Sequence, residues 1–248
     1  MEASARVARL SLLGDLELTF EDEVLPLSQP AQRVLAYLAV VHRHRPVRRS
    51  TLAERLWPET TPARASASLR SVLWRLPRPR GRVLVTGNST AVRLHDDLVV
   101  DLWDAEALAA ALCSAQPPDA VAPTELAPLH CDLLPDWTEE WLVVEQEAFR
   151  QKRLHALERV AGLWCEHGRF TDALSAGLGA VRSEPLRESA HRRVIAVHLA
   201  EGNHAEALRQ YDGYRRLLAE ELGLPPSPVI RKMVAPLLGR PVDLRAGD

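Results

Sequence analysis

The segment Pro62–Leu76, PARASASLRSVLWRL, decides how the rest of the chain is read. Wound at about 3.6 residues per turn, it sets Ala65, Leu69, Val72, Leu73 and Leu76 on one side, the spacing of a helix docked on a core. The opposite side carries Arg64, Ala67, Arg70, Ser71, Trp74 and Arg75, with no acidic residue along it. A solvated helix face ordinarily mixes signs, because opposite charges three or four residues apart support a helix and like charges oppose it. A face built of guanidinium groups, small residues and an indole instead suits a grooved polyanion.

The flanks agree with that reading. Ser50–Leu56 is a shorter amphipathic helix, with Ser50 as its N-cap and Glu54 in its first turns. Trp57-Pro58-Glu59-Thr60-Thr61-Pro62 separates the two helices, since one proline stops the first and the other suits the start of the second. Pro77-Arg78-Pro79-Arg80-Gly81 ends the long helix, and two β-rich runs follow, Arg82–Thr86 and Thr90–Leu94, joined by Gly87-Asn88-Ser89. Helix, turn, helix and hairpin make a winged helix-turn-helix.

On the N-terminal side, Ala8–Leu27 reads as short strands. Leu10, Leu12, Leu16, Leu18 and Phe20 alternate with polar residues around a Gly14-Asp15 turn, and Glu21-Asp22-Glu23 forms the next. Ser28–Val41 is a helix with Ser28 as cap, Pro30 in the first turn, and Val34, Leu35, Leu38 and Val41 as its apolar stripe. On the C-terminal side, Asp104 caps a helix over Ala105–Leu112, and the Pro- and Ala-rich 114–128 stretch reads as loop. From near His130 the chain is helical to its end, with a long amphipathic stretch over Trp137–Trp164. There Gly168-Arg-Phe-Thr-Asp172-Ala173-Leu174 recurs as Gly202-Asn-His-Ala-Glu206-Ala207-Leu208, thirty-four residues on. That period belongs to tetratricopeptide helix hairpins, with Gly at the turn and Ala where two helices touch. Trp164 and Tyr211 fall on large-residue positions, Ala180 on a small one, and Gly223 is placed as a left-handed C-cap. The expected fold is mainly α: a winged helix-turn-helix with a small antiparallel sheet over 1–96, then an all-α tetratricopeptide-like domain over 97–248.

Composition bounds the function. With 46% hydrophobic and 26% charged residues, the 248-residue chain is an ordinary globular one, long enough for two domains. No apolar run approaches a membrane span and no signal-peptide core opens the chain, so a cytoplasmic protein without a membrane partner is expected. Cys113, Cys131 and Cys165 lack ligand spacing and read as free thiols. The net charge of −2 hides an asymmetry. Ser28–His95 holds thirteen arginines against Glu54 and Glu59, a net of +11, whereas the residues from Ala111 onward sum to −4.

A basic winged helix predicts duplex DNA as partner. Arg64, Ala67, Arg70, Ser71 and Arg75 are the candidates for base edges, because the second helix of such a motif lies in the major groove. Arg48, Arg49 and Ser50, at the start of the preceding helix, are phosphate candidates. Asn88, Ser89, Thr90 and Arg93 are the candidates in the wing, and Trp74 is expected to pack against that wing. The stacked hairpins would present a concave interaction surface and carry no chemistry of their own. An enzyme is not expected: His191, His198 and His204 have no ligand spacing, and no nucleophile, dinucleotide or phosphate-loop motif is present, so no cofactor or metal is predicted. The alternative is a helical adaptor whose basic helix binds an acidic protein, which predicts weak, sequence-blind DNA binding.

Further motifs carry a family resemblance. Leu133-Leu134-Pro135-Asp136, Glu140-Trp141-Leu142, Glu184-Pro185-Leu186-Arg187-Glu188, Ala205-Glu206-Ala207-Leu208-Arg209 with Tyr211, and Leu218-Ala219-Glu220-Glu221-Leu222-Gly223 stand in that order. With Leu35-Ala36-Tyr37-Leu38, Leu52-Ala53-Glu54-Arg55-Leu56-Trp57-Pro58 and Arg64, Leu69, Arg70, they make the chain resemble the SARP group of actinobacterial activators, including the larger AfsR-type regulators. The resemblance spans roughly Ala8 to Val234 and implies an OmpR-like winged helix followed by a bacterial transcriptional activation domain. It also implies dimerisation on direct repeats, contact with RNA polymerase, and control of genes for antibiotics and other secondary metabolites. The chain departs from the pattern where Ala91-Val92 replace a Gly-Tyr in the wing and where the Glu21–Glu23 turn lacks glycine. No receiver domain is expected before the winged helix, and no Walker A motif of the larger members occurs. Arg187, Arg192 and Glu206 are the exposed residues that such a resemblance would offer to polymerase.

Overall fold

The computed structural model describes residues 7–118 and 121–239. The chain divides into two compact units, one holding the residues up to Glu106 together with Cys131–Arg150, the other Ala107–His130 with the residues from Gln151 onward.

In the first unit, β1 (Ala8–Ser11), β2 (Glu17–Phe20) and β3 (Glu23–Val24) form the N-terminal meander. β1 and β2 are antiparallel with Leu10 opposite Leu18, so Ala8, Leu10, Leu18 and Phe20 share the buried face. The turn before β3 holds Glu21 and Asp22 at φ 52 and 63, left-handed backbone that costs an L-residue about 1–2 kcal/mol. Glu21 is tied there by an ion pair to Arg80 at 2.6 Å.

Next come α1 (Gln29–Tyr37), β4 (Val47–Arg48), α2 (Arg49–Leu56), α3 (Pro62–Arg75), β5 (Val85–Gly87), β6 (Ala91–Leu94), β7 (Val99–Val100) and α4 (Asp101–Leu112). Pro30 occupies the first turn of α1, but the hydroxyl of Ser28 makes no cap bond. The helix runs on as a π-helical turn over Leu38–His42, with Val34, Leu35 and Leu38 buried as expected. One sheet has the order β3-β2-β1-β7, with β7 parallel to β1; the other has the order β4-β6-β5.

Two helix starts differ from expectation for one reason. Arg48 pairs with Ala91 in the second sheet, which holds it extended, so α2 begins at Arg49 and Ser50 sits inside the first turn rather than at the cap. Likewise Leu10 pairs with Val100, and α4 starts at Asp101 rather than at Ala105 after an Asp104 cap. The Asp101 carboxylate accepts from the Leu12, Leu13 and Leu102 N–H groups at 2.8, 3.2 and 2.7 Å. It closes the end of β1 and the start of α4 together.

The Leu133-Leu134-Pro135-Asp136 stretch lies alongside the end of β1 in this unit. Gly14 N–H donates to Asp132 O and Leu134 N–H to Leu12 O. Gln146 bridges the Leu133 and Leu134 carbonyls, and Leu133, Leu134 and Leu142 are buried. Trp141 meets Tyr37 edge to face at 5.0 Å, and Glu139 pairs with Arg33 at 2.6 Å. These contacts place 131–150 beside the N-terminal elements.

The second unit is helical. The 114–128 stretch read as loop runs into a 3-10 helix over Pro123–His130 with Leu126 and Leu129 buried. The buried Arg153 donates to Leu129 O and to Ser183 Oγ, so the segment is packed. α5 (Glu140–Glu166) is one continuous helix whose residues from Gln151 belong to this unit; α6 (Phe170–Ser183), α7 (Glu188–Glu201), α8 (His204–Leu222) and α9 (Pro228–Leu238) follow. The thirty-four-residue repeat is written in the backbone. Gly168 and Gly202 have φ 71 and 84, and the residues after them share φ −83 with ψ 62 and 63. Ala173, Ala180 and Ala207 are fully buried where helices meet, and Trp164 and Tyr211 are buried as well. Gly223 is the left-handed C-cap of α8, as expected. Inside α6, a Cβ at Gly179 would lie 2.3 Å from the His130 ring, and one at Gly177 would press on the Val194 side chain at 3.0 Å.

His191 is buried in this unit. Its Nε2 faces the Pro185 carbonyl at 2.8 Å, which only accepts, so Nε2 carries the proton and Nδ1 accepts from the Gln210 amide at 2.9 Å. Tyr214 stacks on the ring at 4.2 Å. Burial holds the pKa of His191 below its ordinary value, and it does the same to His130 and to His42 in the first unit. Each folded-state pKa is depressed, so the unfolded chain binds protons more readily. The contribution of the three is fully present above about pH 6.5 and is lost as pH falls through the folded values. Urea midpoints are therefore expected to drop between pH 7.5 and 5.5, and to drop less in His191→Phe. A flat midpoint over that range refutes the assignment.

Candidate nucleic-acid interface

α3 begins where the prolines place it. Thr61 is extended and its side chain accepts from the Arg64 N–H, with Pro62 at the first helical position. Ala65, Leu69 and Leu76 are buried and Val72 and Leu73 half-buried, as the apolar stripe requires. All six residues of the other face, Arg64, Ala67, Arg70, Ser71, Trp74 and Arg75, are exposed.

The charges on that face are uncompensated. Arg33, Arg43, Arg80 and Arg187 each lie within 2.6 Å of a carboxylate. Among the described residues no carboxylate lies within ion-pair distance of Arg48, Arg64, Arg70, Arg75 or Arg78. A guanidinium left exposed without a carboxylate keeps its field for an outside anion.

The remaining predicted residues divide by their surroundings. Arg48 and Ser50 are exposed at the start of α2. Arg49 is half-buried and holds the wing: its N–H donates to Thr90 O at 2.9 Å and its Nε to Asn88 O at 2.8 Å. Asn88 shapes the wing tip, where Oδ1 accepts from the Thr90 N–H, the Thr90 hydroxyl and the Ala91 N–H at 2.8–2.9 Å. Gly87 permits the close crossing of the wing strands, since a Cβ there would meet Ala91 O at 2.2 Å. Arg93 is engaged by both carboxylate oxygens of Asp96, which raises the guanidinium pKa and lowers that of the carboxyl. Its charge is thus balanced within the wing's own strand end.

Two further features escape sequence reasoning. Trp74, expected to pack on the wing, borders the cleft beside the hairpin but leaves 77% of its surface exposed. Arg78, just past α3, is exposed and lines a cleft of about 300 Å³ with Arg49, Trp74, Val83 and Val92, between the end of α3 and the hairpin. Its position between two prolines was the available signal, because that geometry holds it beside the helix end. In the helical unit, Arg187 is not an exposed candidate for a partner. Glu158, Gln151 and His155 surround its guanidinium, at 2.5 Å from the first, and it anchors the start of α7 to α5. Arg192 and Glu206 are half-buried. Among the described residues no helix is long and apolar enough to cross a membrane, and no group of three or more His, Cys, Asp or Glu is placed to hold a metal.

The family model described as "Bacterial transcriptional activator domain" matches residues 97–238. The chain is similar to the regulatory protein AfsR of Streptomyces coelicolor, 28% identical over 243 residues that cover 94% of this chain and 24% of AfsR. It is also similar to the transcriptional regulatory protein EmbR of Mycobacterium tuberculosis, 29% identical over 94% of this chain and 64% of EmbR. A third relative is the transcriptional regulatory protein MoaR1 of the same species, 24% identical over 99% of this chain and 88% of MoaR1. The chain spans about a quarter of the length of the AfsR proteins it matches. The fold is shared with the solved structure of Mycobacterium tuberculosis EmbR in complex with a low affinity phosphopeptide, at TM-score 0.68 and 24% identity, covering 96% of this chain and 67% of that one.

Small sheets and helices followed by repeated helical hairpins form a chain whose similar proteins are named as regulatory and transcriptional regulatory proteins. The chain belongs to the bacterial transcriptional activator domain family.

Proposed function

We propose that this regulator is a sequence-specific duplex-DNA binder that activates transcription. α3 enters the major groove, Arg64, Arg70, Ser71 and Arg75 meet base edges, and Ala67 is small enough to permit close approach. Arg48 and Ser50 hold phosphates beside the N-terminus of α2, while Thr90 and Asn88 bring the wing to the backbone. The observation that carries this reading is the exposed, carboxylate-free guanidinium row of α3. The helical hairpins supply the surface for a second contact, for which the family supports RNA polymerase. Direct repeats about one helical turn apart would seat two copies as a homodimer on one side of the duplex. Genes of antibiotic or other secondary metabolism are the proposed targets, as the SARP resemblance of the sequence implies.

Binding-site selection from random duplexes, followed by affinity measurement across a salt series, tests the reading. A single recovered motif is expected, with log affinity falling against log salt at a slope of about −4 to −5 for some five neutralised phosphates. Equal affinity for selected and random DNA removes the specificity. A preference for acidic polypeptides over DNA replaces the reading with that of an adaptor.

A further inference from the structure

Of the six tryptophans, Trp74 alone is exposed; Trp164 is buried and Trp57, Trp103, Trp137 and Trp141 are half-buried. An indole is the largest apolar group a chain can bury, and leaving it in water forgoes that gain. Its place on α3 is informative. Counting about 100° per residue, Trp74 falls between Arg70 and Ser71 in projection, seven residues after Ala67 on the same line. It therefore continues the outward face rather than bordering it. Arg70 and Arg78 lie four residues to either side of it, and Arg75 follows it directly. None of these three has a carboxylate within ion-pair distance among the described residues. An apolar plate set among uncompensated cations matches a surface that offers apolar groups between phosphates. In the major groove that group is the C5-methyl of thymine.

We propose that Trp74 is a specificity-determining residue that packs its indole on a thymine C5-methyl in the half of the site read by the end of α3. This rests on the reading of α3 as a major-groove helix and adds to it a base and an atom. The arginines reward guanine through hydrogen bonds, while the indole rewards thymine by removing a methyl from water.

The test replaces each thymine of the selected site singly by deoxyuridine, which deletes the methyl and leaves every hydrogen-bonding edge intact. For the wild-type protein one substitution is expected to weaken binding about fourfold, the value of one buried carbon. Trp74→Ala is expected to bind the thymine and uracil duplexes equally, with the salt slope unchanged, because no charge is removed. Trp74→Phe, which keeps an aromatic plate, is expected to retain the thymine preference. Trp74 makes few contacts within the fold, so both variants should fold as the wild type does, and circular dichroism checks this. If wild-type protein binds every uracil duplex as well as the parent, and Trp74→Ala selects an unchanged motif, the assignment is overturned while α3 stands as the reader. If the wild-type protein selects no motif, the underlying reading fails and this one falls with it.

Discussion

Arg70→Ala is expected to weaken binding to the selected site by about 10- to 100-fold and to abolish base preference at one position. The range follows from the roughly 1–3 kcal/mol by which a bidentate guanidinium discriminates a guanine from another base. Arg70 is exposed at mid-helix on a face that no carboxylate approaches, so its removal costs the fold nothing and the loss lies in the complex. Arg48→Ala is the matched control. Its side chain stands at the N-cap position of α2, on backbone held extended by pairing with Ala91. From there it serves any phosphate, so the variant should weaken all sequences alike and reduce the salt slope by about 1. Site selection and salt titration on both variants separate the two roles. If Arg70→Ala lowers affinity for random DNA as much as for the selected site, Arg70 is a phosphate contact.

Asp101→Ala is expected to destabilise the first unit by about 3 kcal/mol. The carboxylate accepts from three backbone N–H groups, two at the end of β1 and one at the start of α4. Alanine would leave the Leu12 and Leu13 donors without a partner, and an unsatisfied buried donor costs about 1–3 kcal/mol. Burial raises the pKa of this carboxyl despite the three bonds. The site thus already carries a desolvation cost that alanine relieves, which keeps the net loss in the lower half of the roughly 2–6 kcal/mol that two such donors span. Loss of exchange protection at Leu12, Leu13 and Leu102, with a lower urea midpoint, is the expected signature. Unchanged protection at all three would show that the strand end does not depend on this carboxylate.

Periodicity made much of the molecule legible. The two faces of α3 separate as spacing predicts, because a helix turns its sequence into sides without help from anything distant. The hairpin repeat is legible too, since Gly168 and Gly202 answer a local demand for left-handed backbone. Segment boundaries were harder. Ser50 and Asp104 are good caps by residue type, yet α2 and α4 begin elsewhere because strand pairing with Ala91 and Leu10 fixes where extended backbone ends. Long-range pairing was harder still: hydrogen bonds from Gly14 and to Leu12 bind the start of 131–150 to the end of β1, and no local pattern announces them.

Within the site, residue type and spacing sufficed to name the guanidinium row on α3, because helical geometry alone sends those side chains outward. Whether a given arginine stays available was beyond them. Arg93 is balanced by Asp96 once the chain turns back after β6, and Arg187 is held by Glu158 from another helix. Availability depends on which carboxylate is brought within reach, and exposure of an indole such as Trp74 on which surfaces fail to cover it. Both are set by contacts between residues far apart or across a turn, and a periodic pattern carries no record of them.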